Sequence, residues 1–132
     1  MSSSFTWLDK LIRFLRVRKV KKYISEGVVL LDIGCGQEAY FLNLLKDKIK
    51  KGLGFDKKIK DQSDQKIKLI NLEIKKKIPL PDKSVDYITM LAVLEHLDYP
   101  KEVLKECHRV LKDKGFLIIT VPAPLAGPVL NF

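Results

Sequence analysis

The chain alternates between continuous apolar runs and segments with helical spacing of apolar residues. Continuous runs rich in β-branched residues are typical of strands buried on both faces of a parallel sheet. They predict five strands, VVLLDIG at 28–34, GLGFD at 52–56, KIKLINLE at 66–73, VDYITML at 85–91 and FLIITV at 116–121. The helical spacing predicts helices over 38–48, 94–97 and 100–111, with Gly115 placed to end the last one.

Strands that alternate with helices predict β-α-β units with right-handed crossovers. We therefore expect an α/β fold with a doubly wound, mostly parallel sheet and helices on both faces. With 132 residues, 46% of them hydrophobic, the chain predicts a single domain over 1–132 whose core covers 28–122. In such a fold the ligand binds at the carboxyl ends of the strands.

The first segment, residues 1–26, predicts an amphipathic helix with Thr6 as its cap. Its apolar stripe consists of Leu8, Leu11, Ile12 and Leu15, and its basic residues Lys10, Arg13, Arg16 and Lys19 lie largely off that stripe. We favour a helix packed on the flank of the domain. The basic face together with Trp7 and Phe14 leaves a peripheral membrane contact as the alternative.

The formal charge of +9 raises the question of a nucleic-acid partner. Most lysines lie between Lys46 and Lys77, mixed with acidic residues and with Phe55 as the only aromatic residue among them, which favours a solvated surface. No apolar run approaches the roughly 20 residues that span a bilayer, and the charged N-terminus does not resemble a signal peptide, so we expect a cytoplasmic protein. The spacing of Cys35 and Cys107 predicts reduced thiols and neither a disulfide nor a metal site.

The stretch LLDIGCGQEAYF carries the candidate chemistry. Asp32 stands near a strand end, and Gly34 and Gly36 suit a tight turn with positive φ that a ligand can approach closely. With Ala39 these glycines loosely match the dinucleotide fingerprint, and Asp56 follows about 20 residues on, where that fingerprint has its ribose-binding acid. The pattern alone leaves two classes of cofactor open.

Electrostatics favours one of them. The diphosphate of a dinucleotide would lie beside the carboxylates of Asp32 and Glu38, an unfavourable pairing of like charges. S-adenosylmethionine has no phosphate, and its ammonium and sulfonium groups are cations that carboxylates stabilise. The residues thus favour S-adenosylmethionine over a nicotinamide-dependent oxidoreductase. A turn that binds nothing would leave Asp32 and Asp56 without a purpose at two strand ends.

The sequence resembles the class I, Rossmann-like methyltransferases of the small-molecule type that use S-adenosylmethionine. VLLDIGCG is similar to the first cofactor motif of that family, and GFD is similar to its second strand with the ribose acid. The block IPLPDKSVDYITMLAVLEHLDYPKEVLKECHRVLKDKGFLIITVP resembles the downstream block of the family. Together the similar segments cover residues 28–122.

The resemblance implies a role for particular residues. The methionine and ribose portion of the cofactor would be lined by Asp32, Gly34, Cys35 and Gly36. Asp56, beside Lys57, would accept hydrogen bonds from the ribose hydroxyls. Glu73 and Ile74 would contact the adenine, and Met90 and Leu91 would flank the methionine arm. His96 is the candidate general base for an acceptor that carries a proton. The favoured alternative for His96 is an imidazole satisfied by a backbone group at the start of a helix.

Two features depart from the family. Glu38 stands where the family commonly has a third glycine, and the chain stops after the fifth predicted strand, which predicts a truncated domain with an open sheet edge suited to association. The predicted function is methyl transfer from S-adenosylmethionine to a small-molecule acceptor. The alternatives are a non-catalytic cofactor-binding or interaction module and a methyltransferase acting on RNA or protein.

Overall fold

The computed structural model describes residues 7–121, apart from the side chain of Asp9. Thr6, the predicted helix cap, and the apolar tail at 122–132 lie outside the described residues. The strands are β1 (Val29–Ile33), β2 (Lys51–Asp56), β3 (Gln62–Ser63), β4 (Ile67–Asn71), β5 (Val85–Leu91) and β6 (Leu111–Thr120). The helices are α1 (Trp7–Lys21), α2 (Tyr40–Leu44) and α3 (Pro100–Val110), with a 3-10 turn at Leu94–His96.

The six strands form one sheet in the order β3-β4-β2-β1-β5-β6. All neighbouring pairs are parallel except β3 with β4, so the predicted doubly wound, mostly parallel sheet is confirmed. The chain runs outward from β1 to β2 and β4, and it then returns to place β5 on the other side of β1. This reversal opens a crevice at the carboxyl ends of β1 and β5, where ligands bind in such folds.

Helices cover both faces of the sheet, as predicted. Consecutive residues of β1 point to opposite faces, so Leu30 packs into one core with residues of α1 and α2, and Leu31 packs into a second core with residues of α3. Burial on both faces is why β1 and β5 have continuous apolar sequences. The two cores fix the carboxyl ends of the central strands.

Helix α1 packs on the flank of the domain, as expected, but not through its apolar stripe. Its four residues are all exposed, Leu8 by 49%, Leu11 by 42%, Ile12 by 46% and Leu15 by 52%. Val17 and Val20 are buried instead and join the core that also contains α2. The helix therefore packs against the domain through a short stretch near its C-terminal end. In the sequence, the longer leucine stripe indicated a different side of the helix as the buried one.

The predicted helix over 38–48 is shorter in the structure. Ala39 has a left-handed backbone (φ 47°), so the glycine turn extends further than predicted and α2 begins only at Tyr40. At the other end the regular helix gives way to tight three-residue turns, with the amide of Lys46 donating to the carbonyl of Asn43 and that of Lys48 to Leu45. The last predicted turn is thus not α-helical.

Three strand boundaries also differ from the prediction. β3 is short and polar and forms through backbone pairing with β4, so no hydrophobic pattern announced it. β4 ends at Asn71, two residues before the predicted end at Glu73. β6 begins directly after α3, and Gly115 lies within it rather than in a helix-ending turn. A glycine is needed at this strand position because a Cβ would lie 2.7 Å from the carbonyl oxygen of Asp86.

Candidate functional site

A cleft of about 630 Å³ lies at the carboxyl edge of the sheet, at the reversal point of the chain. It is bordered by the turn after β1, the end of β2, and the segments that follow β4 and β5. Small-molecule sites in proteins commonly have this size and position. The cleft is the place where the sequence predicted a ligand.

The glycine turn after β1 has the predicted backbone geometry. Gly34 and Gly36 have φ values of 75° and 82°, a region that residues with a Cβ rarely adopt. A Cβ on Gly34 would also lie 2.5 Å from Cγ2 of Val93, whereas a Cβ on Gly36 would meet nothing within 4 Å. Gly34 therefore allows close packing as well as the turn, and Gly36 serves the backbone conformation alone.

The turn is fastened to β2 by three successive amides. The amides of Gly34 and Cys35 donate to the carbonyl oxygen of Phe55, at 2.8 Å and 3.1 Å. The amide of Gly36 donates to Oδ2 of Asp56 at 2.9 Å, and Oδ1 of the same carboxylate accepts from the amide of Lys58 at 2.9 Å. Asp56, the last residue of β2, thus holds the turn in place and also lines the cleft.

Asp32 lies in β1 behind the turn and is only 2% exposed. Burial raises the pKa of its carboxyl to about 7. The hydrogen bond from the hydroxyl of Thr89 acts to lower this pKa, and the charge of Asp56 adds a smaller rise. The Thr89 hydroxyl donates to Oδ1 of Asp32 at 2.8 Å. This carboxyl therefore holds its charge weakly at neutral pH, and a nearby cation would stabilise the ionised form.

Opposite the glycine turn, the segment after β4 brings Glu73 and Ile74 to the cleft. Glu73 lies beyond the end of β4, whereas the sequence predicted it at the end of the strand. Nζ of Lys57 is 3.8 Å from Oε2 of Glu73, and both side chains are about half exposed. A pair this exposed adds little stability, so both groups stay available to a ligand.

His96 lines the cleft, with its side chain 78% exposed. Its Nε2 lies 3.6 Å from Oε2 of Glu95, so the structure gives the imidazole a carboxylate neighbour in place of the expected backbone partner. Oε1 of Glu95 is buried and has no hydrogen-bond partner among residues 7–121. The carboxylate of Glu95 is thus a charged neighbour of the imidazole, at a distance longer than a hydrogen bond.

The predicted cofactor residues divide into two groups. Gly34, Gly36, Asp56, Lys57, Glu73, Ile74, Leu91 and His96 line the cleft together. Asp32, Cys35 and Met90 are buried and lie behind its wall. Burial raises the pKa of the Cys35 thiol to about 12, with a further contribution from the nearby charge of Asp32, so this thiol stays protonated.

Several residues that line the cleft were not predicted from the sequence. Gln37 and Lys58 border it from the two motif segments, and Val93, Leu97 and Asp98 border it from the segment after β5. Their signal was position alone, since loops at the carboxyl ends of strands face the ligand. Glu38 was expected beside the ligand, but the carboxylates that line the cleft are those of Asp56, Glu73 and Asp98.

Within residues 7–121, the His, Cys, Asp and Glu side chains form no group of three that could hold a metal ion. The residues that line the cleft supply carboxylates, amines, an imidazole and apolar walls. Such a set suits a ligand that is partly cationic and partly aromatic. S-adenosylmethionine, with its two cationic groups and its adenine, fits this set.

Comparison with known proteins gives a consistent result. The family model described as methyltransferase domain matches residues 31–119. Demethylmenaquinone methyltransferase of Geobacillus stearothermophilus is 30% identical over 132 residues, which cover 94% of this chain and 53% of that protein. A Mycolicibacterium smegmatis protein, classed by name among S-adenosylmethionine-dependent methyltransferases, is 30% identical over 100 residues, covering 73% of this chain and 38% of that one.

Solved structures share the fold. The S-adenosylmethionine-dependent methyltransferase from Mesorhizobium loti superimposes with a TM-score of 0.71 at 19% identity, over 82% of this chain and 54% of that chain. A likeness at this identity concerns the fold alone. The chain spans about half, or less, of the length of the proteins that it matches.

Proposed function

This chain belongs to the methyltransferase-domain family, whose cofactor is S-adenosylmethionine, and we propose that its cleft binds this cofactor for methyl transfer to a small organic acceptor. The observation that carries the proposal is the joint between the glycine turn and Asp56. One carboxylate holds the turn by the amide of Gly36 and lines the cleft. A ligand that binds Asp56 therefore contacts the residue that holds the glycine turn in place.

The proposed binding roles follow the lining of the cleft. The oxygens of Asp56 each accept one amide, which leaves lone pairs for the ribose hydroxyls. Glu73 and Ile74 lie side by side on the adenine side, a carboxylate for the amino group and an apolar side chain for the ring. Gly34 and Leu91 border the methionine arm.

The buried residues act from behind. Asp32, with Cys35 and Met90, supports the turn and the end of β5 rather than forming the surface of the cleft. Its carboxyl nevertheless favours a cation at the turn, because a positive charge there would stabilise the ionised form. The ammonium of the methionine arm would supply that charge.

Bound S-adenosylmethionine supplies a methyl carbon activated by the sulfonium. The contribution of the chain is to position the reactants and to exclude water, for which Leu91, Val93 and Leu97 provide apolar walls. His96 would take a proton from the acceptor if the acceptor carries one at the operating pH. The carboxylate of its neighbour Glu95, 3.6 Å from Nε2, would stabilise the protonated imidazole by its charge.

A small organic acceptor is supported by relatives named demethylmenaquinone methyltransferase. The alternative of an RNA or protein acceptor rests on the charge of +9, and that of a non-catalytic module rests on the partial coverage of the relatives. Incubation with methyl-labelled S-adenosylmethionine and fractionated cell extract separates the three. We expect label in the small-molecule fraction; label in RNA or protein, or binding without transfer, would support the alternatives.

The binding step is tested with S-adenosylhomocysteine. At one hundred times its dissociation constant this ligand should stabilise the folded protein by about 2.7 kcal/mol, seen as a rise in melting temperature. Asp56→Ala should weaken binding at least about tenfold, the loss of about one charge-assisted hydrogen bond. The control Asp47→Ala, at an exposed carboxylate outside the cleft, should bind like the parent.

Asp56→Ala also removes the contact to Gly36, so Asp56→Asn serves as a second variant. Its amide oxygen keeps an acceptor for the turn, while the carboxylate for the ribose hydroxyls is lost. Its amide nitrogen replaces the oxygen that accepts from the amide of Lys58, so we expect a melting temperature somewhat below that of the parent but above that of Asp56→Ala, together with weaker ligand binding. A folded parent protein that shows no shift at millimolar S-adenosylhomocysteine would contradict the proposal.

A further inference from the structure

Helix α1 exposes a continuous set of large apolar side chains. Their exposed fractions run from 42% to 76%, and the residues are Trp7, Leu8, Leu11, Ile12, Phe14 and Leu15. Isolated exposed leucines are ordinary in soluble proteins, but six large apolar residues on two turns of one helix mark a surface that meets something apolar. We call this set the apolar face of α1.

The helix is nevertheless attached to the domain. Val17 and Val20 are buried on the side away from the apolar face, given 3.6 residues per turn, and Arg13 lies over the ring of Tyr40 at 4.7 Å. The exposure therefore does not come from a detached helix. The domain holds α1 by one side and presents the other.

The charge next to this face is strongly positive. Residues 7–22 contain seven lysines and arginines and a single acid, Asp9. Arg18 and Lys19 in the last turn, and Lys22 directly after the helix, are exposed on the side that the apolar residues occupy in the earlier turns. One side of α1 thus changes from apolar to basic along its length.

We propose that α1 docks the protein on the surface of an anionic lipid bilayer. Apolar side chains enter the boundary between headgroups and acyl chains, and the basic residues attract anionic headgroups, each by an interaction that salt weakens. Trp7 has the amphipathic ring typical of that boundary. Among the described residues no helix is long and apolar enough to cross a membrane, so α1 would lie along the surface.

The charge argues against two other occupants. A second copy on the same face would bring seven cations against seven, which disfavours self-association. Single-stranded RNA binds basic surfaces through stacking on aromatic rings, yet four of the six residues of the apolar face are aliphatic. A bilayer answers both properties, and this inference does not depend on methyl transfer.

Trp7 is the only tryptophan of the chain and lies in the apolar face, so its emission reports docking directly. The full chain is mixed with vesicles of phosphatidylcholine, with or without phosphatidylglycerol, and floated through a density gradient. We expect flotation and a shift of the emission to shorter wavelength with the anionic vesicles. Both should weaken as salt is raised and be small with phosphatidylcholine alone.

Variants separate the apolar and the basic contribution. Leu11→Gln with Leu15→Gln should lower the partition constant roughly thirtyfold, from two half-exposed leucines. Leu44→Gln is the matched control, because Leu44 is also 42% exposed but lies on α2, and it should partition like the parent. Arg18→Gln with Lys19→Gln should lower binding to anionic vesicles by about the same factor.

Three results would overturn the proposal. The first is a folded chain that does not float with anionic vesicles, and the second is an equal loss in the α1 and Leu44 variants. The third is a concentration-dependent dimer or an RNA complex that forms through α1 while the vesicles stay empty. Circular dichroism of every variant establishes that the domain is folded; because the substituted side chains are exposed, we expect unchanged spectra.

Discussion

Replacing Asp32 by asparagine should make the protein more stable at alkaline pH and change how its stability depends on pH. Asp32 is buried beside Thr89, and burial raises the pKa of its carboxyl from 3.8 to about 7. Since the folded state favours the protonated form, the free energy of unfolding falls as pH rises from about 4 through 7 and then levels off. An asparagine keeps an acceptor oxygen for Thr89 and has no charge to bury.

The expected magnitude follows from the pKa. A shift of about three pH units corresponds to roughly 4 kcal/mol, and about 2.5 kcal/mol of it falls between pH 5 and pH 8. The new amide protons of asparagine add a cost of about 1–3 kcal/mol if they stay unpaired, but this cost does not vary with pH. The difference between parent and variant should therefore change by about 2.5 kcal/mol over this range.

Urea unfolding at pH 5, 6, 7 and 8, for the parent, Asp32→Asn and the control Asp47→Asn, measures this change. Glu106 is already ionised throughout this range, because its hydrogen bonds with Arg109 and the amide of Ile78 lower the pKa of its carboxyl to about 2. Groups shared by parent and variant cancel in the difference. The control Asp47→Asn should differ from the parent by an amount that is constant over this range. If the difference between the parent and Asp32→Asn is also constant, the carboxyl of Asp32 does not titrate between pH 5 and pH 8 in the folded protein, and the reasoning from burial is wrong.

Two further predictions concern the turn and the thiols. Gly34→Ala should destabilise the fold more than Gly36→Ala. Both variants lose about 1–2 kcal/mol to the left-handed backbone, but only a Cβ at position 34 also meets Val93. Adding Val93→Ala to Gly34→Ala should therefore restore the additional loss of stability, measured by thermal unfolding. Cys35 and Cys107 are buried with thiol pKa values of about 12, so a thiol reagent at pH 8 should react with them only after unfolding; fast reaction of the native chain would refute the assigned burial.

The sequence was sufficient for the parts of the fold that burial controls. β1 and β5 pack against apolar neighbours on both faces, so their strand character is written in a continuous apolar run. The exposed pair Gln62–Ser63 forms a strand only through backbone pairing with β4, which leaves no mark on side-chain polarity. For α1, helical periodicity identified the helix but did not show which of its sides packs against the domain.

The candidate site was predictable where it depends on the ends of strands. Asp56 and Leu91 are the last residues of β2 and β5, and both line the cleft. Asp32 is one residue short of the end of β1, which is enough to turn its side chain into the buried layer behind the glycine turn. Val93 and Asp98 line the cleft from a segment whose path depends on the left-handed backbone of Ala92 (φ 58°), which no sequence rule predicts for alanine.

The structure also supplies the reason why a turn that resembles the dinucleotide fingerprint suits S-adenosylmethionine. In the dinucleotide fold, free amides of the glycine turn and of the helix start bind the diphosphate, but the turn amides of Gly34, Cys35 and Gly36 all donate to β2. The helix that follows has five residues and hence a small dipole. What the turn offers instead is a carboxylate, Asp56, at the surface and a second one, Asp32, buried behind it, and such a turn favours hydroxyl donors and cations over phosphate.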